Sequence, residues 1–308
     1  MMKAADGARA WPRRVRVTRV EPAREDPDGP RVRAWHAVVA ASMVEDSPAT
    51  EAPAPDRLLD CLTTGASVVW TAAIGDRTVG LALLRPPSTG TVTTGRAQVH
   101  VHPAHRLRGV GGRLVTALAA EARARGLHGL IAAVPVAGAG DAFCLRHGMT
   151  RVRTLHHLLL SLRDMHPGWL DEMVAAEYPG YRLAETARPA PHGREHAVVG
   201  DVLLTITARH DREVVGCTEV VVPQGSGPRA TQFDRPPAGG HHAMGLDLWA
   251  KAAMLRLLYD RYPHITQVAT NVPGHQTTLL AVNRQLGFRL HHRTHEYRLD
   301  LTHNQRNR

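Results

Sequence analysis

The feature that most constrains the fold is a glycine-rich turn at residues 106–112, which reads Arg-Leu-Arg-Gly-Val-Gly-Gly. A strand pattern over residues 96–102 ends at Pro103 just before the turn, and a helical pattern over residues 112–125 follows it. This order places free backbone amides at the positive end of a helix dipole. Glycine lacks a Cβ, so an anion can approach those amides closely. The turn therefore predicts a phosphate-binding site.

The elements around the turn repeat along the chain and predict two domains. Residues 67–74 and 78–84 have the pattern of a β-hairpin, and residues 32–44 have the apolar spacing of a helix. The later residues repeat the order with a hairpin at 202–222, a helix at 246–259, a strand at 265–269, a helix at 277–286 and a strand at 289–301. A length of 308 residues also fits two domains of ordinary size. We predict a mixed α/β fold with a largely antiparallel sheet and domains at residues 1–164 and 165–308.

The charge balance points to a polyanionic partner. The formal net charge is +10, and lysine occurs only at Lys3 and Lys251, so the excess is arginine. Such a surface attracts CoA phosphates or nucleic acid. The three cysteines have no C-x-x-C spacing, which indicates neither a disulfide framework nor a metal site. Because no apolar run reaches the roughly 18 residues of a membrane span, we expect a cytoplasmic protein.

The turn and a segment downstream of it together resemble the GNAT superfamily of N-acyltransferases. Arg106, Gly109 and Gly111 meet the R-x-x-G-x-G pattern of motif A, and residues 143–149, Phe-Cys-Leu-Arg-His-Gly-Met, are similar to motif B. The resemblance covers residues 11–162 and implies acetyl-CoA or another acyl-CoA as co-substrate. The strand would bind the pantetheine arm and the turn would bind the pyrophosphate. The implied CoA-binding residues are Val99, Val101, Arg106, Leu107, Arg108, Gly109, Val110, Gly111, Gly112 and Arg113.

Two residues are candidates for proton transfer, and each has a structural alternative. GNAT enzymes usually place a tyrosine where this chain has Cys144. A thiol, with an ordinary pKa of about 8.5, could protonate the leaving thiolate, but a small buried side chain is the alternative. His100 lies where related families often place a base, and an imidazole with a pKa near about 6.5 suits that role. The alternative for His100 is a histidine at the strand surface, on the same face as Gln98 and His102.

The second half resembles a further GNAT domain, of the tandem type found in actinobacterial secondary metabolism. Residues 248–255 and 280–288 carry this resemblance. The stretch at residues 187–200, however, is too short for the two helices that shape an acceptor pocket in the family. We therefore predict that the second domain is truncated and has a structural role.

The glycine turn of the second half is degraded. Its R-x-x-G-x-G positions fall on residues 242–247, His-Ala-Met-Gly-Leu-Asp, so Asp247 places a negative charge where a pyrophosphate would bind. The strand before it runs into Pro236 and Pro237, which cannot donate backbone hydrogen bonds. We predict that this half does not bind CoA in the usual way.

Three functions follow from these observations. The first is transfer of an acyl group from acyl-CoA to an amine of a small molecule, with the chemistry in the first domain. The second is amide formation from an aminoacyl-tRNA, in which the basic surface binds tRNA. The third is a binding module without catalysis, which the absent tyrosine favours. Either a monomer or a homodimer is compatible with the sequence.

Overall fold

In a computed structural model the chain folds into two compact units. The structure describes residues 14–47, 52–87, 92–191, 197, 200–211, 213–225, 227–235 and 245–302. The first unit comprises Met1–Ile131 and Leu299–Arg308, and the second comprises Ala132–Arg298.

The first unit is built on a five-stranded sheet. Its order is β1-β2-β3-β4-β5, and every pair is antiparallel except β4 with β5, which is parallel. The strands are β1 (Val15–Val20), β2 (Val68–Ile74), β3 (Arg77–Arg85), β4 (Thr94–Val101) and β5 (Gly129–Pro135), the last of which continues into the second unit.

Helices cover both faces of this sheet. On one face, α1 (Pro30–Asp46) and α2 (Pro55–Thr63) bury residues such as Trp35 against the leucines of β3. On the other face, α3 (Val110–Ala124) packs Leu114 against the sheet. Side chains of a strand alternate between faces, so β4 presents Val99 and Val101 to the α3 side and His100 to the α1 side.

The second unit is built on a seven-stranded sheet. Its order is β12-β6-β11-β10-β9-β8-β7, and only β10 with β11 is parallel. The strands are β6 (Thr150–Ser161), β7 (Tyr181–Pro189), β8 (Val202–His210), β9 (Glu213–Val222), β10 (Arg229–Arg235), β11 (Gln267–Pro273) and β12 (Arg289–Asp300).

Three described helices accompany the strands of this unit besides the short helix α4 (Ala139–Arg146). They are α5 (Pro167–Val174), α6 (Leu246–Arg261) and α7 (Thr277–Gln285). The helix α6 is apolar on most of its circumference and contributes buried residues such as Met254 and Leu255 to the main core. No helix of the described chain is both long and apolar enough to cross a membrane.

The structure confirms the predicted fold class and most of the predicted elements. The sheet is mostly antiparallel, and the predicted hairpin of residues 202–222 is β8 and β9. The strand predicted at residues 265–269 is β11, which runs on to Pro273 because its later residues pair with β6. Most of the connection between β7 and β8 lies outside the described residues, so the predicted truncation at residues 187–200 remains a prediction.

The compact units divide the chain elsewhere than at residue 164. The reason is β6, which belongs to the first half of the sequence but pairs with β11 on one side and with β12 on the other. Its core residues Leu158 and Leu160 are buried in the cluster of the second unit. The division of the sequence into two repeated domains at residues 1–164 and 165–308 remains a prediction. The bounds of the compact units are set by strand pairing.

Candidate functional site

The glycine turn forms an open N-terminus of α3. Gly109 is the N-cap residue and has a φ of 76°, in the left-handed region that glycine adopts without strain. The first helical hydrogen bond runs from the amide of Arg113 to the carbonyl of Gly109. The amides of Val110, Gly111 and Gly112 therefore have no acceptor within the helix, and no side chain caps them. This end of α3 can accept an anion.

Gly80 on β3 allows this turn to approach the sheet. A Cβ placed at Gly80 would lie 2.9 Å from Cδ1 of Leu114 and 3.0 Å from Cγ1 of Val110, both in the first turns of α3. Any larger side chain would push the start of α3 away from β3. Gly80 lies outside every motif of the sequence, and only the packing of α3 reveals its role.

Arg106 is held by the protein and does not point freely into the turn. Its guanidinium donates two hydrogen bonds to the carboxylate of Asp46, at 2.9 and 2.6 Å, and a third from Nε to the carbonyl of Val101 at 3.3 Å. This is a bidentate, charge-assisted pair, the strongest kind of ion pair. The predicted phosphate contact of Arg106 remains a prediction, and the observed bonds favour a structural role.

The other two arginines of the turn differ from each other. Arg113 donates a hydrogen bond to the carbonyl of Val15 at 3.1 Å. Arg108 is exposed, and within the described chain no hydrogen bond or ion pair engages its side chain. Leu107, with a φ of 60°, is 98% exposed. Arg108 is thus the arginine best placed to meet a phosphate at the open helix end.

The strand β4 has a free backbone edge next to the turn. It pairs with β3 from Arg96 to Val101, but with β5 only from Thr94 to Arg96. Beyond Arg96, the edge opposite β3 carries no strand pairing with the described residues of the first unit. An extended chain of amides, such as a pantetheine arm, can hydrogen-bond to such an edge. Val99 and Val101 lie on this segment, and their predicted contact with a pantetheine arm remains a prediction.

His100 is partly buried and hydrogen-bonded to α1. Its Nδ1 lies 2.8 Å from the hydroxyl of Ser42. Burial lowers the pKa of His100 to about 4, with Asp46 raising it and Arg106 lowering it. This differs from the ordinary pKa assumed above, because β4 and α1 remove water from the ring. The imidazole is consequently neutral at physiological pH, and Nε2 has no partner in the described structure.

Cys144 in α4 is a buried thiol. It is 2% exposed, and burial, assisted by the carboxylate of Asp141, raises its pKa to about 11. The same carboxylate accepts hydrogen bonds from Tyr297 at 2.7 Å and from His295 at 3.0 Å. These contacts hold α4 to β12 in the second unit. Burial favours the packing interpretation of Cys144, and its predicted role as an acid is untested.

The second turn leads into α6 through a glycine with the same conformation, but one of the first amides of α6 is engaged by a side chain. Gly245 is the N-cap residue with a φ of 71°. The carboxylate of Asp247 accepts the amide of Leu248 at 2.9 Å, so the protein supplies its own anion there. The hydroxyl of Tyr178 lies 3.2 Å from where a Cβ of Gly245 would be, and its ring stacks on Trp249. Residues 236–244, with the two prolines and His242, lie outside the described residues.

A buried ion pair lies behind this turn. Nζ of Lys251 donates to Asp234 at 2.6 Å, and the two side chains are 1% and 6% exposed. Thr218 and Gln232 also donate to this carboxylate, at 3.0 and 3.2 Å. Burial lowers the pKa of Lys251, whereas the negative charge of Asp234 raises it. No group of three or more metal-ligating side chains occurs among the described residues.

Comparison with known proteins matches the part of the chain that contains the first of these turns. A profile described as the acetyltransferase (GNAT) family matches residues 35–149, from α1 through the glycine turn to the end of α4. No curated protein sequence matches the chain significantly.

Solved structures resemble the chain over nearly its whole length. A tandem GNAT protein from the clavulanic acid biosynthesis pathway is 22% identical, with 94% of this chain and 100% of that chain covered and a TM-score of 0.74. A GCN5-related N-acetyltransferase from Sphaerobacter thermophilus is 17% identical, with coverages of 95% and 97% and a TM-score of 0.65. At these identities the likeness concerns the fold.

The profile match covers the turn whose amides are open, and the structural match extends the fold over both halves. Residues 35–149 therefore carry an acetyltransferase (GNAT) family domain, and the chain has the fold of tandem GNAT proteins.

Proposed function

We propose that the chain transfers an acetyl or related acyl group from acyl-CoA to an amine of a small molecule, at a single site in the first unit. The observation that carries this proposal is the open N-terminus of α3, where three amides and Arg108 have no partner in the described protein. The GNAT family uses acetyl-CoA, and the amides of Val110, Gly111 and Gly112 fit its pyrophosphate. The free edge of β4 fits its pantetheine arm.

In this reaction the amine nitrogen bonds to the thioester carbonyl carbon, the carbon–sulfur bond breaks, and one proton leaves the nitrogen. His100 is the group proposed to accept that proton, because its imidazole is neutral and Nε2 has no partner among the described residues. A weak base suffices, since the nitrogen becomes much more acidic once it is bonded to the carbonyl carbon. An amide of β4 near Val99 would stabilise the carbonyl oxygen.

We further propose that the second half does not bind acyl-CoA. Asp247 already bonds the amide of Leu248, and Tyr178 lies against Gly245. A pyrophosphate at this helix end would meet the carboxylate of Asp247, which already occupies one of the amides. The second half then serves as a scaffold, to which β6 contributes a strand.

Calorimetry with acetyl-CoA tests the number and place of the sites. We expect one acetyl-CoA per chain with micromolar affinity. Arg108→Ala should weaken binding about tenfold, a loss of one charge-assisted phosphate contact, and should reduce its dependence on salt. His100→Gln should leave the affinity unchanged and lower kcat by about 100-fold or more. Two acetyl-CoA per chain would overturn the assignment of a single site.

Transfer from an aminoacyl-tRNA is the competing function, and the net charge of +10 favours it. A transferase of that kind would bind tRNA with strong salt dependence and would not bind acetyl-CoA. The same calorimetric experiment with tRNA in place of acetyl-CoA separates the two.

A further inference from the structure

Two polar side chains of α1 engage the two residues that flank the end of β4. Ser42 and Asp46 are four residues apart and hence on one face of α1. Ser42 bonds His100 at 2.8 Å, and Asp46 bonds Arg106 at 2.9 and 2.6 Å. We refer to Ser42, Asp46, His100 and Arg106 as the α1 clamp.

We propose that Ser42 and Asp46 are positioning residues for acyl transfer: Ser42 orients the His100 imidazole, and Asp46 holds Arg106 as a latch that keeps the glycine turn in shape. The proposal rests on the proposed function, because it assumes an acyl-CoA site at the turn and a base at His100. It reassigns the first position of the R-x-x-G-x-G pattern from phosphate binding to turn geometry.

The burial of the clamp supports a positioning role. Ser42 is 3% exposed, and the side chains of Arg106 and Asp46 are only 22% and 26% exposed. A guanidinium that makes three hydrogen bonds within the protein would lose them on turning to a phosphate. Nothing comparable restrains Arg108, two residues further along.

The latch connects three segments of the first unit. Arg106 joins the carbonyl of Val101, the last residue of β4, to the last residue of α1. The hydrogen bonds of Arg106 thereby span the short 3-10 helix Pro103–His105, which leads into the turn. If this connection breaks, the amides of Val110 to Gly112 lose their fixed direction, although every phosphate-facing charge remains.

Substitutions of Arg106 separate a latch from a phosphate ligand. Arg106→Lys keeps the charge but cannot form the bidentate pair, and Asp46→Asn removes the counter-charge while leaving Arg106 intact. For a latch, we expect both variants to raise the Kd for acetyl-CoA about fivefold to tenfold, as Arg106→Ala does, with an unchanged salt dependence. Thermal unfolding of each variant confirms that it is folded.

The matched control is Glu25→Gln, which breaks the exposed ion pair with Arg31 in the same unit, at 2.7 Å. It should leave the Kd for acetyl-CoA unchanged. Wild-type affinity in both Arg106→Lys and Asp46→Asn, with weaker and less salt-dependent binding only in Arg106→Ala, would overturn the latch. If the wild-type chain binds no acetyl-CoA at all, it is the proposed function that fails.

Substitution of Ser42 tests the orientation of His100. Ser42→Ala should lower kcat about tenfold while the Kd for acetyl-CoA and the melting temperature stay within experimental error. The ¹⁵N shifts of the His100 ring, assigned by comparison with His100→Gln, should change from one tautomer to a mixture. Unchanged kcat and unchanged ring shifts in Ser42→Ala would overturn this part of the proposal.

Discussion

Gly109 and Gly245 begin α3 and α6 in the same left-handed conformation, with φ values of 76° and 71°. Each follows a strand that has one parallel neighbour, β5 for β4 and β11 for β10. The two N-cap glycines therefore share a backbone conformation. They differ in what surrounds it, since Gly111 leaves the amides of α3 open and Asp247 occupies an amide of α6.

Under the proposed function, this difference is how the second turn would keep its fold without binding acyl-CoA. An open helix end requires an anion or water, whereas a carboxylate from the chain itself satisfies it permanently. Lys251 lies behind the second turn. Counted from the N-cap glycine, it occupies the position that Val115 has in α3. The charge of Lys251 is balanced by Asp234. Polar groups that would serve a ligand in one turn serve the protein in the other.

The largest expected effect concerns the buried pair of the second half. Asp234→Asn leaves the ammonium of Lys251 buried without a counter-charge, and should lower the free energy of unfolding by roughly 3–5 kcal/mol. Chemical denaturation measures this. Asp260→Asn, which disrupts an exposed pair with Arg256 at 2.9 Å, is the matched control and should cost about 1 kcal/mol or less. Equal costs would mean that the buried pair has no special role.

The next largest effect is expected when a carboxylate like that of the second turn is introduced into the first turn. Gly111→Asp places a carboxylate at the N-terminus of α3 and should weaken acetyl-CoA binding about 100-fold, which corresponds to about 2.7 kcal/mol. Gly111→Asn has nearly the same shape without the charge, and should weaken binding far less. Calorimetry compares the two variants. Similar losses would show that shape, and not charge, separates the turns.

The two halves bury different titratable groups, and the pH dependence of stability tests the contribution of the one in the first half, His100. His100 has its pKa lowered from 6.5 to about 4 in the folded state, so the unfolded chain takes up the proton first as pH falls. The contribution of the lowered pKa of His100 to the free energy of unfolding is fully present above pH 6.5 and is lost as the pH falls to about 4.

His100→Gln removes this contribution. Between pH 7 and pH 4, the free energy of unfolding should fall less in the variant than in the wild type, and the difference should be on the order of 2 kcal/mol. Denaturation at both pH values measures this difference. An identical pH dependence in the two proteins would place the ring in a solvated environment.

The smallest effect is expected from the reverse exchange, Asp247→Gly. Removing the bond to the amide of Leu248 should cost about 1 kcal/mol in free energy of unfolding. We expect the stoichiometry to remain one acetyl-CoA per chain, since Tyr178 and the Lys251–Asp234 pair are still present. Appearance of a second acetyl-CoA in calorimetry would show that Asp247 alone closes the second turn.

Local patterns predicted the elements and the glycine turn well. The hairpins, the helix after the turn and the mostly antiparallel sheet follow from spacing and turn residues, which act over a few neighbours. The pKa of His100 could not be predicted in this way, because it depends on burial beneath α1. Nor could the latch of Arg106, since its partner Asp46 is 60 residues away.

By itself, the sequence predicted a strand, a glycine turn and a helix around Gly109, with anion binding as the expected role of the turn, and placed a carboxylate in the turn at Gly245. These are local properties of glycine and aspartate at a helix start. The tertiary structure decided which charges are already taken: Arg106 by Asp46, the amide of Leu248 by Asp247, and Lys251 by Asp234. It also decided that β6 completes the second sheet, because strand pairing and burial join residues that no local pattern connects.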